Sequence, residues 1–138
     1  MKKVMISPSK YVQGEGELSN LGEYVEVFGN KALLVASSDD ESRVRAQLDE
    51  SLTRTAFTLT SAGFNLECSW VEIKRIQAIA EEKGAEVIIG LGGGKSLDTA
   101  KAVAHLTNKP VIIVPTIAST DAPCSSLAVI YTEHGEFE

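Results

Sequence analysis

Three short apolar runs, separated by stretches with helical spacing, constrain the fold of this 138-residue chain more than any other feature. The runs are 31–36, 85–90 and 111–114, and none of them alternates regularly between apolar and polar residues. A strand that is apolar on both sides has to be covered on both faces, which is typical of parallel sheets. The runs therefore predict a parallel β-sheet enclosed by helices.

The segments between the runs have the spacing of amphipathic helices. Apolar residues recur at every fourth position from 44 to 56, which predicts a helix over about 41–56. Residues 57–60 have strand-like composition. Ser69, with Glu72 three residues later, has the pattern of a capping box that begins a second helix, and Gly84 ends it. A third helix is predicted from the apolar spacing over 97–104.

This alternation predicts an α/β domain of the Rossmann-like class, a parallel sheet with helices on both faces. Residues 1–138 form one domain, long enough to bury a core without disulfides. Residues 127–132 are predicted to add the strand of a C-terminal β-hairpin, with Glu133-His134-Gly135 as its turn, and the sequence ends where the return strand would begin. Cys124 is expected to be buried as a small apolar residue.

A Gly-rich turn, Gly92-Gly93-Gly94-Lys95-Ser96, follows the second run and precedes the third helix. Glycines let the backbone approach a phosphate, and a helix N-terminus offers free N–H groups and a positive dipole end. Lys95 can add a counter-charge. The turn therefore predicts a diphosphate site, with NAD as the best candidate cofactor, and glycines chosen for conformation alone are the alternative. Ile89 stands where a P-loop requires its first glycine, which argues against an NTPase.

Polar residues also follow the third apolar run, at Thr116, Ser119, Thr120 and Asp121. The carboxyl ends of parallel strands share one edge of a sheet, and ligands of such sheets bind there. These hydroxyls and this carboxylate could fix a ribose or a polyol, and an ordinary polar loop is the alternative.

Composition narrows the classes of partner. A net charge of −6 and a pI near 5.0 argue against nucleic acid as a partner, because proteins that bind nucleic acid present basic surfaces. No apolar stretch approaches the roughly 20 residues of a membrane span, so no membrane is expected as a partner. Two cysteines without metal-type spacing indicate reduced thiols and a cytoplasmic protein.

Four motifs, at 7–14, 67–69, 90–101 and 115–123, closely resemble the amino-terminal domain of glycerol dehydrogenases, members of the iron-containing, or polyol, alcohol dehydrogenase family. The resemblance implies that this domain binds NAD and that hydride passes between glycerol and the nicotinamide, giving dihydroxyacetone. It also implies a divalent metal, usually zinc, held by an Asp and two His of a helical second domain that is absent from this sequence. No metal site is therefore expected within residues 1–138, where His105 and His134 are expected at the surface. The chain alone is expected to be inactive.

The resemblance also assigns roles to individual residues. The residues expected to line the diphosphate are Gly94, Lys95, Ser96, Leu97 and Asp98. Those expected to flank the cofactor are Thr116, Ile117, Ala118 and Ser119, with Ser125, Leu127 and Tyr131 along its nicotinamide half. Asp121 is expected to approach the glycerol hydroxyls.

Ser37 departs from the pattern of the family, which commonly has an Asp here that accepts hydrogen bonds from the adenosine ribose. The choice between NAD and NADP therefore stays open. Asp39 or Asp40 could reach the ribose instead, or Ser37 could relax discrimination against a 2′-phosphate.

Three alternatives to this function stay open as well. The chain could be a non-catalytic nucleotide-binding module, one half of a split enzyme that pairs with a complementary helical chain, or a family member acting on another polyol or a glycerol phosphate. Association with further copies of itself is a further expectation that the sequence does not decide.

Overall fold

The computed structural model describes residues 1–2 and 9–138, so that positions 7 and 8 of the first motif lie outside the described residues. The chain contains a four-stranded sheet in the order β2-β1-β3-β4, in which every neighbouring pair is parallel. The strands are β1 Lys31–Val35, β2 Thr58–Ser61, β3 Val87–Gly92 and β4 Val111–Pro115. The predicted parallel α/β class is confirmed.

Helices fill the connections between these strands. A 3₁₀ turn, Glu17–Asn20, leads into α1, and the helices are α1 Leu21–Val25, α2 Ser38–Arg43, α3 Arg45–Arg54, α4 Trp70–Lys83 and α5 Gly94–Thr107. The single helix predicted over 41–56 is therefore two helices that meet at Val44, whose φ and ψ are −114° and 12°. Ser37 accepts a hydrogen bond from the Asp40 N–H and so begins α2 ahead of the apolar stripe.

The central strands β1 and β3 are buried on both faces, because helices cover the two sides to which successive strand residues point. On one side Leu33 and Val35 of β1 pack in a cluster with residues of α4 and α5. On the other side Ala32 and Leu34 pack with residues of α1 and α3. The predicted helices on both faces of the sheet are confirmed.

Of the two reciprocal hydrogen bonds of the capping box predicted at the start of α4, one forms. Ser69 accepts a hydrogen bond from the Glu72 N–H over 3.3 Å. The Glu72 carboxylate instead accepts from the Asn65 backbone N–H at 3.0 Å and from Arg75 Nε at 3.0 Å. Arg75 in turn donates to the Ala62 and Gly63 carbonyls, so this network ties the segment after β2 to α4.

Replacing Glu72 with Gln is expected to lower the free energy of unfolding at pH 7 by about 2 kcal/mol, because donors of Asn65 and Arg75 lose their charged acceptor. Burial alone raises the pKa of Glu72, but the hydrogen bonds from Arg75 and Asn65 outweigh it and leave that pKa below its ordinary value of 4.5. A depressed pKa gives stability that is present above the unfolded-state pKa and is lost as the pH falls through the folded-state pKa. Urea unfolding from pH 7 to pH 3 should therefore show a smaller acid loss for Glu72→Gln than for wild type, and equal losses would contradict the assignment.

The C-terminal segment differs from the predicted strand over 127–132. Only Tyr131 makes a strand-like bridge, to Phe137, although the turn forms and Thr132 N–H donates to the Glu136 carbonyl over 2.7 Å. The return arm is thus present within the chain, over 136–138. Leu127 and Val129 form no strand because their backbone groups bind the side chains of α5.

Cys124 is exposed, contrary to the prediction, because it lies in a surface turn closed on the Asp121 carbonyl.

Within the described residues, no helix combines the length and apolarity that crossing a membrane requires.

Candidate functional site

The strand order defines a crevice at the carboxyl ends of β1 and β3. From β1 the chain continues to β2 at one edge of the sheet, and from β3 it continues to β4 at the other edge. Such a reversal is the topological switch point, where open α/β sheets bind ligands. The segments that leave these ends begin with Ser37 after β1, the Gly-rich turn after β3 and Thr116 after β4.

The structure brings these three segments into contact. The Thr116 N–H donates to the Gly92 carbonyl over 3.0 Å. Asp40, in the first turn of α2, accepts hydrogen bonds from the hydroxyls of Ser37 at 2.9 Å and Thr116 at 3.3 Å. Ser37 itself is 7% exposed, so its hydroxyl serves Asp40 and the cap of α2.

The glycines of the turn differ in what the fold requires of them. Gly92 has φ +134°, and a Cβ there would lie 2.8 Å from Asp40 Oδ2, so the fold itself needs glycine. Gly93 has φ −87° and ψ −176°, which any residue adopts. A Cβ on Gly93 would meet Ile117 at 3.8 Å, an ordinary contact. The missing side chain at Gly93 is therefore not explained by conformation or by packing, and it leaves open space over the N-terminus of α5.

Among the described residues, no side chain caps the N-terminus of α5. Gly93 is its N-cap, no described side chain accepts from its first turn, and that turn carries no acidic residue. The same chain caps α2 with Ser37 and α4 with Ser69. The first N–H groups of a 14-residue helix thus remain available to an anion in the crevice.

Lys95 is paired with another side chain. Its ammonium lies 2.9 Å from Glu67 Oε2 and 5.2 Å from the centre of the Tyr131 ring. Lys95 therefore lies beside Tyr131, for which the family resemblance predicts a position along the nicotinamide half of the cofactor. The contribution of Glu67 was not predicted. It follows Leu66, whose φ of +71° is strained for a bulky residue, and no local sequence pattern signals that geometry.

Asp98 and Lys101 hold the segment after β4 against α5. The two side chains are 12% and 11% exposed, and Lys101 Nζ lies 2.8 Å from Asp98 Oδ1. Lys101 also donates to the carbonyls of Ala122 and Ser125 at 3.0 and 3.1 Å, while Asp98 accepts from the Val129 N–H at 3.0 Å. The carboxylate predicted to line the diphosphate thus has internal partners, and Lys101 is a positioning residue that the sequence did not single out.

The remaining predicted residues lie around the crevice or in the core beneath it. Leu97 is fully buried, so that its backbone alone can face a ligand. Of the predicted residues after β4, those that are exposed are Thr116, Ile117, Ala118, Ser119, Asp121 and Leu127. Ser125 is half-buried and its hydroxyl accepts from the Leu127 N–H. The cofactor and substrate roles of these residues stay predictions.

Neither the cavities nor the histidines of the described residues lie at this crevice as a metal site. Two cavities, of about 150 and 370 Å³, lie where the strands begin and not at the switch point. Residues such as Lys31 and Lys109 line them. His105 and His134 are exposed, as predicted. Among residues 1–2 and 9–138, no three His, Cys, Asp or Glu side chains are grouped so that they could hold a metal ion.

Relatives of known name match the whole chain. It is 47% identical over 138 residues to a glycolaldehyde reductase of Halobacterium salinarum and 43% identical over 138 residues to a glycerol dehydrogenase of Pseudomonas putida, covering 38% of each relative. The crystal structure of glycerol dehydrogenase from Schizosaccharomyces pombe superposes with a TM-score of 0.86 at 38% identity, over 99% of this chain and 35% of that one. The chain thus spans less than two fifths of the length of these relatives.

A family model extends this likeness across nearly all of the sequence. The model described as iron-containing alcohol dehydrogenase matches residues 8–137. The Gly-rich turn, the segment after β4 and the hairpin all lie inside the match. The chain belongs to the iron-containing alcohol dehydrogenase family.

Proposed function

We propose that residues 1–138 bind NAD in the crevice at the switch point and serve an oxidoreductase that acts on glycerol or a similar small polyol. The observation that carries the proposal is Gly93, a glycine that neither conformation nor packing requires, at the uncapped N-terminus of α5. That N-terminus is suited to a diphosphate. The names of the relatives support the class of substrate.

The two ends of the crevice suit the two halves of a dinucleotide. Hydroxyls and Asp121 after β4 form the polar side that we assign to the nicotinamide and the polyol, and we assign the contacting pair of Lys95 and Tyr131 to the same half of the cofactor. The β1 side, with Ser37 and Asp40, is left for the adenosine. The cofactor, when bound, supplies the hydride acceptor. The chain's own residues bind and orient it, and the carboxylate of Asp121 would accept hydrogen bonds from polyol hydroxyls.

The described residues do not fit a metal centre, because a catalytic divalent ion takes about three protein ligands and no such group is present among them. We therefore propose that zinc or another divalent ion, if the reaction uses one, is held by residues beyond these 138. On this proposal the chain by itself binds the cofactor but does not oxidise glycerol.

Calorimetry on the 138-residue chain tests the site. NAD and ADP-ribose are both expected to bind at millimolar concentration or below, because both carry the diphosphate, and adenosine is expected to bind far more weakly. Failure of both NAD and ADP-ribose to bind would contradict the proposed site. Glycerol-dependent NADH formation by the zinc-supplemented chain would contradict the proposed lack of turnover.

Glycolaldehyde is a second candidate substrate, because the glycolaldehyde reductase of Halobacterium salinarum is 47% identical over the whole chain. A small hydroxyaldehyde carries the same kind of hydroxyl groups as a polyol and would meet the same polar segment after β4. The ratio of kcat/KM for glycerol oxidation to that for glycolaldehyde reduction, measured on the product of the complete reading frame, separates the two.

A further inference from the structure

Glu67 lies where three segments meet beside the crevice. Its Oε2 atom is 2.9 Å from the ammonium of Lys95, at the start of α5. The same oxygen would lie 3.3 Å from a Cβ on Gly135, in the turn of the C-terminal hairpin. The carbonyl of the next residue, Cys68, accepts a hydrogen bond from the Tyr131 N–H over 2.7 Å. Glu67 and Cys68 therefore join the Gly-rich turn to the hairpin that carries Tyr131.

The backbone turns this carboxylate inward at a conformational cost. Leu66 has φ +71°, which is strained for a bulky residue, and its own side chain is 67% exposed, so that the packing of Leu66 does not account for the strain. The side chain of Glu67 is 22% exposed, and its Oε1 atom is buried without a hydrogen-bond partner among the described residues. A strained backbone that buries a carboxylate with unused acceptor capacity is more typical of a functional site than of an ordinary surface loop.

The ion pair with Glu67 fixes Lys95 in turn. Lys95 is the second residue of α5, where the positive end of the helix dipole disfavours a cation, and Glu67 supplies the opposite charge. If Lys95 moved away, a mostly buried carboxylate would lose its cation, which is costly. The Lys95 ammonium lies 5.2 Å from the centre of the Tyr131 ring, within the range of a cation–π contact. The position of the Tyr131 ring thus depends on Glu67 through Lys95.

We propose that Glu67 is a positioning residue of the cofactor site: through Lys95 it fixes the Tyr131 ring and the hairpin at the side of the crevice that receives the nicotinamide, and it does not contact the cofactor itself. This role rests on the proposed function, which assigns Lys95 and Tyr131 to that half of the cofactor. On this proposal Lys95 links Glu67 to Tyr131 and is not the counter-charge of the diphosphate. The two roles of Lys95 differ in their effect on ligands that share the diphosphate.

The test compares NAD with ADP-ribose, which carries the same diphosphate but lacks the nicotinamide, by calorimetric titration of the 138-residue chain. Glu67→Gln keeps the shape of the side chain and removes its charge. Glu82→Gln is the matched control, because Glu82 is exposed on α4 and its replacement changes the net charge equally. Glu67→Gln is expected to weaken NAD binding by about five-fold and to change ADP-ribose binding by less than about two-fold, whereas Glu82→Gln should change neither.

Variants of Lys95 show whether the effect passes through this residue. Lys95→Met should lower the ratio of NAD affinity to ADP-ribose affinity as Glu67→Gln does, and the double variant should lower it no further, because both changes break the same link. Lys95→Arg should keep the ratio of wild type, since a guanidinium also pairs with a carboxylate and stacks on an aromatic ring. A purely structural role of Glu67 would weaken the binding of both ligands and leave their ratio unchanged.

The outcomes separate this inference from the proposed function. If wild type binds both ligands, but it binds NAD no more tightly than ADP-ribose or Glu67→Gln leaves their ratio unchanged, the role of Glu67 is overturned while the cofactor site stands. If wild type binds neither ligand, both are overturned. Should Glu67→Gln fail to fold by circular dichroism, the Lys95 variants decide, and equal ratios for Lys95→Met and Lys95→Arg overturn the proposal.

Discussion

Replacing Gly93 with Ser is expected to weaken NAD binding by about 10- to 100-fold while leaving the fold as stable as in wild type. Serine is favoured at an N-cap with extended φ and ψ, and Gly93 has φ −87° and ψ −176°. The hydroxyl of the introduced serine would accept hydrogen bonds from the N–H groups at the start of α5, which are the groups that we assign to the diphosphate. The substitution therefore gives the free N–H groups of the helix an acceptor and, at the same time, removes the anion site.

Gly92→Ala provides the contrasting variant. Gly92 has φ +134°, and the added methyl group would lie 2.8 Å from Asp40 Oδ2, so this change is expected to cost about 1–3 kcal/mol of stability. Thermal unfolding and calorimetry on both variants separate the two roles of the turn. If Gly93→Ser binds NAD as wild type does, the missing side chain at Gly93 does not serve a ligand and the diphosphate site is wrong.

The sheet and most of its helices could be predicted because their signals are local. The runs in β1, β3 and β4 are apolar on both sides, and Ser69 and Gly84 cap α4 at its two ends as predicted. The break at Val44 was missed because the apolar stripe begins only at Val44, so the stripe does not report the separate polar helix α2 that precedes it. The predicted strand 127–132 contains the β-forming residues Val129, Ile130 and Tyr131, but tertiary hydrogen bonds from Lys101 to Leu127 and from Val129 to Asp98 override that preference.

The location of the candidate site could be predicted from the sequence, but the contacts between its side chains could not. The position of the crevice follows from the order of the strands. The Gly-rich turn, a single short segment, predicts a diphosphate site there. The Thr116–Asp40 hydrogen bond joins residues 76 positions apart, and the Lys95–Glu67 pair joins residues 28 apart. Such contacts depend on how the loops pack at the sheet edge, and no periodicity in the sequence reports them.

Replacing Lys101 with Met is expected to be the most destabilising single change, lowering the free energy of unfolding by about 3–5 kcal/mol. The substitution leaves the Asp98 carboxylate, whose side chain is 12% exposed, without its ion-pair partner. It also removes the donor to the carbonyls of Ala122, Ser125 and Leu127. Urea unfolding measures the loss.

Lys109→Met is the matched control, because Lys109 is exposed and should change stability by less than about 0.5 kcal/mol. The double variant Asp98→Asn with Lys101→Met should recover part of the loss, since no unpaired buried charge remains. A Lys101→Met protein as stable as the Lys109→Met protein would contradict the role of Lys101 in holding this segment. Because the segment carries Asp121, Ser125 and Leu127, its release from α5 should also weaken NAD binding more than ADP-ribose binding, since ADP-ribose lacks the nicotinamide that this side of the crevice is proposed to hold.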